Sequence, residues 1–207
     1  MSIVTARSRR MDPAERRNDI VVAASLIAVG EGLERVTAKR VAQALAVVPG
    51  LITHYFGTAD DLVVAAFGHA AATERALLFD AASEGGTPPD RLKRLLAAYL
   101  HLDRDPVSLL WLDAWQASRR RPGLRAEVVR QMEADTAQLA ELIARGRESS
   151  HFRTDDAAST ALRIMALIDG LSIRAATRAQ IDYTAVAELL VSTVESELGL
   201  APGELAV

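Results

Sequence analysis

An all-α fold of about nine helices is predicted by three features: composition, helix-boundary signals and the lack of strand patterning. Half of the 207 residues are hydrophobic, a quarter are charged and only 4% are aromatic; alanine and leucine, both strong helix formers, dominate. Capping residues repeatedly stand in front of apolar runs spaced three and four residues apart. No stretch of useful length alternates apolar and polar residues, and no internal repeat is present. The length suits a small domain joined to a larger one.

Residues 1–11 are polar, basic and aperiodic, the pattern of a disordered arm. Asp12 then caps a helix with Pro13 at its first position and Glu15 three residues after the cap. Ile20, Ala24, Ile27 and Ala28 form its apolar face, and Gly30 and Gly32 end it. Thr37 opens a short second helix with Val41, Ala42 and Leu45 apolar. Pro49 starts a short third helix that runs to Tyr55 and Phe56, and Gly57 breaks it. Thr58-Ala59-Asp60-Asp61 has capping-box spacing and opens a long helix to about Ala82. Gly85-Gly86-Thr87-Pro88-Pro89 is the clearest break, and helices follow at about 89–102, 106–119, 123–148, 155–178 and 183–198.

Two short helices joined by a tight turn and preceded by a longer one follow the helix-turn-helix plan. The second short helix must be small enough for the major groove and rigidly held. Val47, Ile52 and Phe56 serve as inner anchors, leaving Pro49, Gly50, Leu51, Thr53, His54 and Tyr55 for the DNA side. An ordinary buried hairpin would not need the polar run Thr53-His54-Tyr55. Charge is distributed to match: residues 1–56 carry 8 Lys+Arg against 5 Asp+Glu, net +3, and residues 57–207 carry 16 against 22, net −6. A positive end on an acidic body suits a protein that meets phosphates at one end.

The stretch from Thr37 to Leu62 resembles the DNA-binding signature of TetR-type repressors, most specifically in the core Gly50 to Phe56 followed by a helix start. The resemblance is strong over residues 13–68. It implies a helix-turn-helix domain over 12–57 and a helical ligand-binding and dimerisation domain over 58–207. Thr37, Lys39 and Arg40 would meet phosphates, and Gly50 would allow close backbone approach. Leu51 and Thr53 would touch thymine methyls, and His54 and Tyr55 would donate to phosphate oxygens. Two residues depart from the family pattern: Val48 stands where serine often caps the recognition helix, and Ala59 stands where lysine is frequent. One lost phosphate contact lowers the log–log salt slope by about 0.9.

The segment from Leu110 to Arg178 resembles the C-terminal domain of choline-responsive, BetI-like regulators through Trp111, Trp115, the helix after Pro122-Gly123, His151-Phe152-Arg153-Thr154-Asp155 and Ile168-Asp169-Gly170-Leu171. The family plan makes the last two helices a homodimer interface, here Leu162, Ala166, Asp169, Gly170 and Ile173 with Val186, Leu189, Leu190 and Val194, forming a four-helix bundle. A pocket for an unknown small-molecule effector is expected around Tyr99, Trp111, Trp115, Met132 and Met165. The two tryptophans share a helix face, which suits either an aromatic cage for a cation or simple core packing. Asp113 lies on a different face from both.

Catalysis, metals and cofactors are not expected. There are no cysteines, the four histidines are far apart, and no phosphate-binding glycine loop, nucleophile elbow or HExxH motif is present. The lack of cysteine fits a reducing cytoplasm, no apolar stretch reads as a bilayer span, and the basic N-terminus lacks an apolar segment after it. The expected function is a dimeric repressor on a palindromic double-stranded DNA operator, released by a small molecule. The alternative is a helical ligand-binding or scaffold protein with little DNA affinity.

Overall fold

The computed structural model describes residues 12–100, 104–176 and 183–206, and all regular structure among them is helical. The elements are α1 (Pro13–Glu31), α2 (Ala38–Ala44), α3 (Pro49–Tyr55), α4 (Ala59–Ser83), α5 (Pro88–Leu100), α6 (Asp105–Ser118), α7 (Pro122–Glu148), α8 (Ala157–Ala176) and α9 (Tyr183–Leu198). The arm before Asp12 lies outside the described residues.

The boundary signals act as the sequence predicts. Asp12 Oδ1 accepts from the Ala14 N–H at 3.0 Å, and Thr37 Oγ1 accepts from the Arg40 N–H at 3.1 Å. Thr58 and Asp61 form a reciprocal capping box. Each such cap stabilises its helix by about 1 kcal/mol. Gly32, at φ 96°, stops α1 and leads into a 3-10 turn, Leu33–Arg35, that no sequence signal announces.

Two hydrophobic cores share α4 as their spine. The first gathers Ile20, Ala24 and Ile27 of α1, Val41 of α2, Ile52 of α3, Leu62, Ala66 and Phe67 of α4, and Leu110, Leu124 and Val128 from the starts of α6 and α7. The second gathers Leu78 of α4, Leu92 and Leu95 of α5, Leu139 and Ile143 of α7, Ile164 of α8, and Leu190 and Val194 of α9. Packing therefore divides within α4, between Ala71 and Leu78. α4 is also long and apolar enough, by length and composition, to cross a bilayer, although charged residues interrupt it and it holds no uninterrupted apolar stretch of that length. It carries this apolarity because α1, α5, α6 and α7 all pack on it.

Candidate nucleic-acid interface and effector cavity

The reading head is built as expected, with one correction. Ile52 and Phe56 are buried and Val47 is half-buried, so α3 is anchored through one face. Thr37, Lys39, Pro49, Gly50, Thr53 and His54 are exposed; Leu51 and Tyr55 are half-buried. Arg40 is not a free phosphate ligand. Its Nε donates to Glu31 Oε2 at 2.9 Å and its Nη2 to Glu31 Oε1, clasping α2 to α1. Bonding to Arg40 lowers the Glu31 pKa from the usual carboxylate value. Arg17 is also engaged, 4.9 Å over the Phe56 ring.

Tyr99, Trp111, Trp115, Met132 and Met165 come together as the sequence predicts, lining one cavity of about 520 Å³ between α4, α5, α6, α7 and α8. Trp111 belongs to both sides of the choice left by the sequence. Its ring meets Phe67 of the first core edge-to-face at 5.0 Å and Trp115 at 5.8 Å, while the pair also walls the cavity. Asp113, on the opposite face of α6, accepts from the Leu33 N–H of the head at 3.2 Å. One helix thus touches the cavity through its tryptophans and the head through its aspartate.

The charged groups of the cavity were not foreseen. Glu74, Glu133, Asp135 and Asp169 line it together with Arg75 and Arg104. Arg104 is taken by Glu74 at 2.6 Å and lies 4.7 Å over the Tyr99 ring; Arg75 is taken by Asp135 at 3.2 Å. Burial pushes the Asp169 pKa up to about 6, with only the charge of Arg104 opposing it. Burial likewise raises Asp135 to about 6, against its bond to Arg75. Burial also raises the pKa of the Tyr99 hydroxyl. Two guanidiniums, each matched to one carboxylate, leave the other two carboxylates of the wall without an ion pair among the described residues.

A buried polar chain leads from this cavity along the α4–α7 contact. Arg75 donates to Gln131 Oε1 at 2.7 Å, and Gln131 Nε2 donates to Gly68 O at 3.1 Å and Glu127 Oε1 at 2.8 Å. Gln131 is fully buried. A Cβ on Gly68 would stand 2.1 Å from Glu127 Oε1, so the glycine leaves this carboxylate its place beside Gln131. Gln131→Leu keeps the volume and removes all three bonds. It is expected to lower the stability by about 2 kcal/mol, read as a lower urea midpoint at unchanged slope.

The dimer-face residues separate into three groups. Leu162, Ala166, Gly170 and Leu189 are exposed and Val186 is half-buried. Leu190 and Val194 turn into the chain's own second core, 1% and 0% exposed, and offer no surface to a partner. Asp169 lines the cavity, and so do Leu162 and Ala166 of the exposed group. The side chain of Ile173 lies outside the described residues. Among the described residues no cluster suits a metal ion.

A helix-turn-helix head on a helical body that encloses a cavity is the architecture of a ligand-responsive DNA-binding regulator. Comparison with known proteins agrees. Residues 88–199 match the family profile described as the BetI-type transcriptional repressor, C-terminal domain. The transcriptional regulator BetI of Burkholderia mallei is 31% identical over 175 residues, which cover 78% of this chain and 83% of that protein. The BetI of Paraburkholderia phymatum is 32% identical over 118 residues, spanning 53% of this chain and 58% of that protein. Among solved structures, a TetR-family regulator from Rhodococcus sp. superposes with a TM-score of 0.75 at 24% identity, covering 89% of this chain and 99% of that one. A regulator from Saccharomonospora viridis, solved in complex with choline, superposes with a TM-score of 0.72 at 23% identity, covering 89% and 98%. The chain belongs to the TetR family of transcriptional regulators, and its C-terminal part to the BetI type within it.

Proposed function

We propose that the chain is a cytoplasmic homodimeric repressor that holds a palindromic double-stranded DNA operator and is released by a small organic cation of the choline class. The observation that carries the effector class is the cavity wall: three aromatic rings, Tyr99, Trp111 and Trp115, beside carboxylates that the two guanidiniums do not neutralise. A quaternary ammonium is bound by aromatic faces and stabilises ionised carboxylates in a poorly solvated site. The choline held by the Saccharomonospora viridis regulator has this chemistry. Leu189, exposed on α9, together with Leu162 and Ala166, which are exposed on α8 while also lining the cavity, supports a two-fold contact, which sets two reading helices about one helical turn apart on DNA. The link from α6 to the head through Asp113 and Leu33 gives the effector a physical route to the spacing of the heads.

Coupling of this kind is reciprocal. Operator DNA is expected to weaken choline binding by the same factor, roughly 5- to 150-fold, by which choline weakens operator binding. Calorimetric titration of choline with and without operator checks this. Equal affinities remove the coupling, and absence of choline binding removes the cation reading while leaving the DNA reading in place.

A further inference from the structure

The reading helix carries none of the side chains that make bidentate base contacts. Pro49–Tyr55 contains no Arg, Lys, Asn, Gln, Asp or Glu. A donor pair to guanine O6 and N7 needs Arg or Lys, the pair to adenine needs Asn or Gln, and acceptance from cytosine N4 needs a carboxylate. The Thr53 hydroxyl donates to Gly50 O at 3.1 Å, so its polar atom is engaged on its own helix and its methyl remains to face outward. His54 and Tyr55 meet edge-to-face, 5.4 Å between ring centroids, at the far end of the helix. Among the described residues, the neighbouring cations belong to other elements than the reading helix. Arg40 is clasped by Glu31 and Arg17 lies over Phe56, while Lys39 stands on α2.

Val48 breaks two local preferences at once. It occupies the cap position of α3, with no side-chain hydrogen bond, and it is 71% exposed. Cap positions favour hydrogen-bonding side chains, and valine favours burial. It is presented by a fixed turn: Ala46 holds φ 55° and the Val47 N–H closes on Ala42 O at 2.9 Å. A sequence that violates local rules at one point without structural gain marks a functional position. Pro49, Gly50 and Thr53 are exposed beside it, and Leu51 is half-buried.

We infer that this chain reads its operator through thymine C5-methyl groups, with Val48, Pro49 and the Thr53 methyl as the apolar reading edge and no guanine-specific hydrogen-bond pair from α3. The inference rests on the DNA-binding function proposed above and narrows it to a class of half-site: A·T pairs facing the start of α3, with the thymine methyl turned to the protein.

Selection from a random duplex pool defines the operator, and the full-length protein is then titrated with the selected duplex and with one in which deoxyuridine replaces the thymines facing α3. The replacement removes a methyl and leaves every hydrogen-bonding group. Loss of one buried methyl per half-site is expected to weaken binding about 4-fold, and about 15-fold for both half-sites. Val48→Ala, at an exposed position, is expected to fold normally and to discriminate thymine from uracil less than the wild type. Equal affinity of the wild type for both duplexes overturns the inference, as does a guanine facing α3 whose replacement by 7-deazaguanine costs tenfold or more. A pool that yields no palindrome overturns the DNA-binding function itself and the inference with it, so the two failures are told apart.

Discussion

Gly146→Ala is expected to destabilise the protein by about 3 kcal/mol and to lower its melting temperature by about 6–12 °C. The sign is opposite to the usual one, since alanine inside a helix is normally better than glycine by about 1 kcal/mol. Gly146 lies near the end of α7, where the chain folds straight back on itself. The His151 and Phe152 N–H groups both donate to Gly146 O, at 2.8 and 3.1 Å. That turn brings the Phe152 ring onto the glycine: a Cβ would lie 2.0 Å from Cδ2, 2.3 Å from Cε2 and 2.9 Å from Cγ. The ring is 2% exposed and forms part of the second core, so it has nowhere to retreat without opening the turn. Gly30→Ala is the control. Gly30 is inside α1 with nothing within 4 Å of the added Cβ, and the change is expected to be neutral or slightly stabilising. Thermal melts of both variants decide the matter, and a Gly146→Ala protein as stable as the wild type sinks the argument.

The features that were legible in the sequence are local ones. Asp12, Thr37 and Thr58 announced their helices because capping is decided within four residues, and the packed face of α1 was legible because helical periodicity alone selects it. The 3-10 turn at Leu33–Arg35 was not, because it is held by Asp113, 80 residues away. Arg40 reads as a phosphate ligand from its place near the start of α2, yet Glu31 of the preceding helix takes its guanidinium. Periodicity told that Leu190 and Val194 are buried but not against which chain. The same limit hid Asp169, which shares the stripe with Gly170 but, like Ala166, lines the cavity. The aromatic members of the cavity were found because bulky rings are rare in this chain. Its carboxylates were missed because α4, α7 and α8 bring them together from distant positions among many solvated charges.

Asp169→Asn is expected to make the empty protein more stable and the effector weaker, two shifts that a merely damaged fold would not combine. The Asp169 carboxyl is held up to about 6 by burial, so its ionised form is penalised in the folded state. Between the ordinary carboxylate pKa and about 6, the folded protein holds a proton that the unfolded chain has released. Stability contributed by this group therefore falls as pH rises through that window, and above it the full penalty remains. Asparagine keeps the shape and removes the charge. The empty variant is expected to gain about 1–2 kcal/mol at pH 7, an amount discounted for the partial exposure of the group. A bound cation does the reverse, favouring the ionised carboxylates of Asp169 and Asp135, so its binding releases protons below about pH 6. Choline affinity in the wild type is expected to rise from pH 5 to about pH 6.5 and then level off. In Asp169→Asn the rise is shallower, and at pH 7 affinity is lower by tenfold or more, the scale of one charge contact out of bulk water, about 1.4 kcal/mol. Titrations at several pH values, alongside urea unfolding of the empty variant, read both shifts. A choline affinity that ignores pH and survives the substitution would place the cation elsewhere than against these carboxylates.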